Sequence, residues 1–134
     1  MKLQKIFFIG LLVMGWATAC RNDHETLPEP AQASITLTSP GEGDMFLANA
    51  TVPIAGTITS PVSMHGYEIT LRNKDTNTVL FTTAGHGHGT TLSFNEQWTN
   101  NVSSDAVVEL EVSVILDHQD NRASKKVTIH CHSG

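Results

Sequence analysis

From Ala33 onward the sequence predicts an all-β domain: a two-layer antiparallel β-sandwich of about seven strands. Three observations point there. Apolar residues recur at every second position, the period of a half-buried strand. Pro, Gly, Asn and Asp interrupt that alternation at short intervals, as turns do. No segment shows a convincing 3.6-residue apolar stripe, so no amphipathic helix competes.

The strands follow in order. Ile35 and Leu37 alternate with Ser34, Thr36 and Thr38, and Ser39-Pro40-Gly41 ends the run. Val52, Ile54, Gly56 and Ile58 alternate up to Ser60-Pro61, the second expected stop. Tyr67, Ile69 and Leu71 form a third strand, closed by a turn at Asn73-Lys74-Asp75. Val79 and Phe81 give a short fourth before Gly85, and Leu92, Phe94 and Trp98 a fifth, with Trp98 expected in the core. Val108, Leu110, Val112, Val114 and Leu116 make the longest, with Glu109 and Glu111 on its solvated side. Val127, Ile129 and Cys131 close the chain. The abundance of β-branched residues suits a pleated, half-buried surface.

The 134 residues suffice for one domain. A net charge of −5, with 8 Lys and Arg against 13 Asp and Glu, argues against a nucleic-acid partner, which needs a basic footprint. No glycine pattern of a phosphate loop or dinucleotide fold is present. Residues 1–19 read as an export signal: Lys2 and Lys5, then an apolar run from Ile6 to Val13 broken by Gly10, then Ala17-Thr18-Ala19 before Cys20. The run is too short for a comfortable span, which needs about 20 residues. Residues 20–32 read as a tether, with Pro28, Pro30, several charges and almost no bulky apolar side chain. The sandwich is expected over 33–134.

Ala17-Thr18-Ala19-Cys20 resembles the lipobox of bacterial lipoproteins. That resemblance implies acylation of Cys20, a mature chain from residue 20, and anchoring to the outer membrane without a span. Cys131 would then be the lone thiol. An ordinary signal peptide is the alternative. Asn22-Asp23-His24-Glu25 loosely resembles the surface-export signal of Bacteroidetes lipoproteins, with only two of its four residues acidic and Arg21 before them; periplasmic and surface faces both stay open.

Leu37-Thr38-Ser39-Pro40, Gly41, Gly43 and Phe46, then Val52-Pro53-Ile54-Ala55-Gly56, resemble the opening of bacterial immunoglobulin-like domains. Asp117-His118-Gln119-Asp120-Asn121 resembles their final hairpin, with Asp120 where that family carries glycine. Small His-rich, immunoglobulin-like lipoproteins of Bacteroidetes are the group suggested. The resemblance implies an immunoglobulin-like sandwich and carries fold, not activity.

Seven histidines in so short a chain are the unusual entry of the composition. His24 falls in the tether. In a sandwich whose connections alternate between two ends, His65, His86, His88 and His118 share one end. His65 lies where the second strand runs into the third, His86 and His88 in Gly85-His86-Gly87-His88-Gly89, and His118 in the last turn, beside Asp117 and Asp120. Imidazoles suit zinc or copper, with carboxylates or water completing the shell. The flanking glycines are expected to let this loop adapt. The plain alternative is polar loop decoration. His130, Cys131 and His132 form a second group at the far end. Strand alternation turns Cys131 inward, and only a frayed terminus would gather all three around soft copper(I).

No nucleophile stands in a glycine-flanked elbow, so an enzyme is not indicated. Copper-zinc superoxide dismutase shares a sandwich and a His-x-His pair, but its further ligands in order and its disulfide are missing here. The expectation is a lipid-anchored, non-catalytic binding module of the cell envelope, holding zinc or copper at its histidine end. The alternative is an accessory or adhesion module contacting an envelope protein or a glycan without metal.

Overall fold

A computed structural model describes residues 33–134; the expected signal, Cys20, the tether and His24 lie outside the described residues. Six strands run in order: β1 (Ser34–Ser39), β2 (Met45–Phe46), β3 (Thr51–Asn73), β4 (Val79–Thr99), β5 (Ala106–Ile115) and β6 (Arg122–Cys131). All pairings are antiparallel except β2 with β6. The expected all-β antiparallel sandwich is what forms.

Two mergers and one added short strand, β2, turn the expected seven strands into six. The second and third expected strands are a single 23-residue strand, β3, and the fourth and fifth a single 21-residue strand, β4. They form one long hairpin that bends midway. Thr51–Thr59 pairs with 91–99, while 64–72 pairs with 79–89, and the register shifts between Thr59 and Met64. Pro61, expected to stop a strand, sits exposed in that irregular stretch, where no ladder bond is lost. Each half of the hairpin belongs to a different layer. One layer is β1, the first half of β3 and the second half of β4. The other is the first half of β4, the second half of β3, β5, β6 and β2. β2 was not foreseen, because a two-residue strand leaves no periodicity to read.

The inward faces make one core. Val52, Ile54, Ile58, Phe94 and Trp98 from the first layer meet Ile69, Leu71, Val108, Leu110, Val112, Val114 and Ile129 from the second. Each fully buried Val, Leu or Ile stabilises by about 1.5–3 kcal/mol. Trp98 is 6% exposed, a core residue as expected. On the outer face Glu109 and Glu111 flank Lys126, whose Nζ lies 3.1 Å from Glu109.

β1 starts beside the bend, with Ser34 opposite Thr59. The end of the sandwich away from the bend is tied by Asn100, 1% exposed. Its Nδ2 lies within hydrogen-bond distance of the carbonyls of Phe46, Leu47 and His132, at 3.2, 2.9 and 2.9 Å. Its Oδ1 accepts from Val102 N–H, and its backbone exchanges bonds with Asn49 and Ala50. One side chain thus joins the end of β4, the β2–β3 connection and the segment after β6.

Candidate functional site

The bend of the β3–β4 hairpin and the β5–β6 turn lie at the same end of the sandwich. Gly66 is paired with both His86 and Ile115, and Ile115 with Arg122 across the turn. The histidines follow from that pairing. His86 and His88 are two apart on the extended backbone of β4, so they share its exposed face, while Gly85 and Gly87 alternate with them on the inward side. This corrects the expected flexible loop: Gly85–Gly89 is strand. His65 stands on the adjacent β3, half buried, and His118 sits in the β5–β6 turn.

The rings form a chain. His118 and His65 have centroids 4.2 Å apart, His65 and His88 5.5 Å, and His88 and His86 5.5 Å. The last two pairs are edge-on, at 88° and 90°. As they stand, no three His, Cys, Asp or Glu side chains among the described residues are arranged to hold a metal ion. Two of the three neighbouring separations come close to that of imidazoles on one metal. Two imidazoles sharing one tetrahedral zinc, with Zn–N of about 2.0–2.1 Å, place their centroids about 5 Å apart. Ring rotation is what binding would require, and His86, His88 and His118 are exposed and free to turn.

Glycine brings the two strands close enough for this. Gly66 has φ +149°, and a Cβ there would stand 2.6 Å from the carbonyl oxygen of Gly85. A Cβ on Gly85 would collide with the Tyr67 ring, and one on Gly87 would come within 2.7 Å of Leu92 Cδ2. Gly85 and Gly87 therefore make room for packing beneath the histidines. Burial, with the Glu96 charge second, raises the Tyr67 hydroxyl pKa.

The two carboxylates at this end are already engaged. Asp117 Oδ1 accepts the N–H groups of Gln119 and Asn121 at 2.9 and 3.1 Å, and its Oδ2 accepts from Asn121 Nδ2. The Asn121 side chain and backbone bonds hold its pKa below the usual carboxylate value, and nearby His65 lowers it further. Asp120 adopts φ 64°, the backbone form for which glycine is usual, and takes Arg122 Nε at 2.8 Å. The hold of Asp117 on the turn is present above the unfolded pKa and lost as pH falls through the lower folded one. The protection factors of the Gln119 and Asn121 amides should therefore fall below about pH 4, and Asp117→Ala should lower them at neutral pH.

The second group does not converge as three. Cys131 is 1% exposed in the core, and burial pushes its thiol up to about 11. β6 continues regularly through Cys131, leaving His130 exposed and His132 beyond the strand end. His132 Nδ1 lies 3.1 Å from Asp105 Oδ2, while Ser133 N–H and Oγ bond the other carboxylate oxygen at 2.8 and 3.1 Å. These bonds, the Ser133 N–H foremost, lower the Asp105 pKa. The serine contacts the carboxylate rather than the imidazole, so this Ser-His-Asp group activates no nucleophile. Asp105 carries no motif in the sequence, and only the placement of the terminus beside it reveals its role.

No family model matches the chain, and the curated proteins give no match. Among solved structures it is similar to the fibronectin(III)-like modules of Clostridium thermocellum CbhA. Identity is 16%, covering 74% of this chain and 96% of that one, with a TM-score of 0.49. The two-layer architecture rests on the strand pairing itself.

Proposed function

We propose that this chain is a non-catalytic binding module of the cell envelope, anchored through lipid on Cys20, whose histidine end holds one zinc or copper ion. The observation that supports it is the gathering of four imidazoles from three separate segments, with neighbouring centroids 4.2–5.5 Å apart. Imidazole is the shared ligand of both metals, and Asp117 orders the turn that carries His118. The excess of acidic side chains favours cations generally.

The test is native mass spectrometry and zinc or copper(II) titration of the full-length chain. One ion should bind, and the double variant His86→Ala with His88→Ala should lose it while keeping its β-sheet circular dichroism. Unchanged affinity in that variant would sink the reading. A second reading, a protein partner without metal, has its own observation. Among the described residues β4 pairs only with β3, and its 21 residues contain one charge, Glu96, and no proline. Such an edge is open to strand addition. A partner that stays bound in chelator would favour this second reading.

A further inference from the structure

At the end of the sandwich opposite the histidine chain, β2 and β6 place Met45 directly beside His130 in their parallel ladder. The neighbouring pair, Phe46 and Cys131, faces inward. Met45 is 64% exposed, whereas Met64 is fully buried. A thioether in solvent contributes little to the core, so packing does not explain Met45. It lines a cavity of about 270 Å³ together with Asp75, Asp105, His130, Cys131 and His132. His132 turns Nδ1 to the Asp105 carboxylate, 3.1 Å away, so Nε2 is the ring nitrogen left to face a ligand. Asp105 is itself held by Ser133, as a carboxylate that orients a ligand should be.

We propose that Met45 Sδ, a ring nitrogen of His130 and Nε2 of His132 form a site for monovalent copper. One thioether and two neutral imidazoles make a soft, uncharged donor set, which selects copper(I) over zinc or hard divalent cations. Cys131 borders the same cavity but is 1% exposed and packed in the core, so it takes no part. Asp105 is a positioning residue and does not touch the metal. The site is independent of the histidine end.

The experiment is anaerobic copper(I) titration of the full-length chain, with His86 and His88 changed to Ala so that the other end cannot contribute. Binding is read against a chromophoric copper(I) chelator and by X-ray absorption. One equivalent should bind with a sulfur scatterer in the copper shell. Asp105→Asn should weaken binding by about 10–100-fold. Met45→Leu should weaken it at least as much and remove the sulfur signal, while Cys131→Ala changes neither. Met45 is exposed, so its replacement should not unfold the domain. Copper(I) wholly lost to the chelator would overturn the site, as would a sulfur signal that survives Met45→Leu.

Discussion

Asn100→Asp should be the most damaging isosteric substitution in the domain at neutral pH. The change is one atom, but it removes the Nδ2 donor facing the carbonyls of Phe46, Leu47 and His132 and substitutes a carboxylate oxygen. The site is 1% exposed, so water cannot replace the lost bonds. Leaving a buried polar group unsatisfied costs about 1–3 kcal/mol, and here several carbonyls lose their donor at once. Asn100→Ala should therefore cost about 3–5 kcal/mol, a large share of the 5–15 kcal/mol by which an ordinary domain is stable. Asn100→Asp should cost more at pH 7 and partly recover in acid. Burial against carbonyl oxygens raises the folded pKa of the new carboxyl above its unfolded value. Stability relative to the parent chain is thus best below about pH 4, where the group is protonated in both states, and declines as pH rises through the folded pKa. Urea midpoints of parent and variant at pH 4 and pH 7 measure this directly. A difference between them that does not grow with pH would refute it.

Gly56→Ala should come next in size. Gly56 lies buried in β3 between Leu37 of β1 and Phe94 of β4. An added Cβ would run into the backbone carbonyl of Thr36 and come within 2.6 Å of Phe94 Cζ. The phenyl ring can shift, but the Thr36 carbonyl belongs to the neighbouring strand and cannot move without opening the layer. Overpacking of this kind costs about 1–3 kcal/mol, and the backbone obstacle puts this site at the upper end. Gly43→Ala is the matched control. A Cβ there meets nothing within 4 Å, and φ is +79°. It should cost only the left-handed backbone term, about 1–2 kcal/mol. Equal thermal shifts for the two variants would show that packing at Gly56 is looser than the geometry requires.

The contrast between these glycines shows what the sequence carries and what it does not. Period-two alternation located nearly every core residue, because burial on one face of a strand writes itself directly into the pattern. Ile54, Ile69, Leu110 and Ile129 are all legible in that way. Alternation cannot say whether a strand ends or merely bends. Pro61 and Gly85 read as stops, yet β3 and β4 pass through them: Pro61 lies where the hairpin crosses between layers, and Gly85 is paired regularly with Tyr67 inside the second layer. The gathering of His65, His86, His88 and His118 could be inferred by counting connections, because antiparallel strands alternate ends. The role of the glycines between them could not. Whether a glycine supplies flexibility or clearance depends on what faces it, and the Tyr67 ring over Gly85 is a contact between residues 18 positions apart. Asn100 left no trace for the same reason: its partners come from two distant segments, 46–50 and His132.

The start of β1 beside the hairpin bend has a consequence for orientation. Whatever precedes Ser34 leaves the sandwich at the histidine end, while the C-terminus and the Met45 cavity occupy the other pole. With lipid on Cys20, the 13 residues that lead to Ala33 could reach at most about 45 Å. A tether held taut would set the imidazoles toward the bilayer and the thioether pocket toward the aqueous side. A ligand exchanged at the histidine end would then change hands near the lipid surface, within reach of integral membrane proteins, and the opposite pole would meet soluble partners.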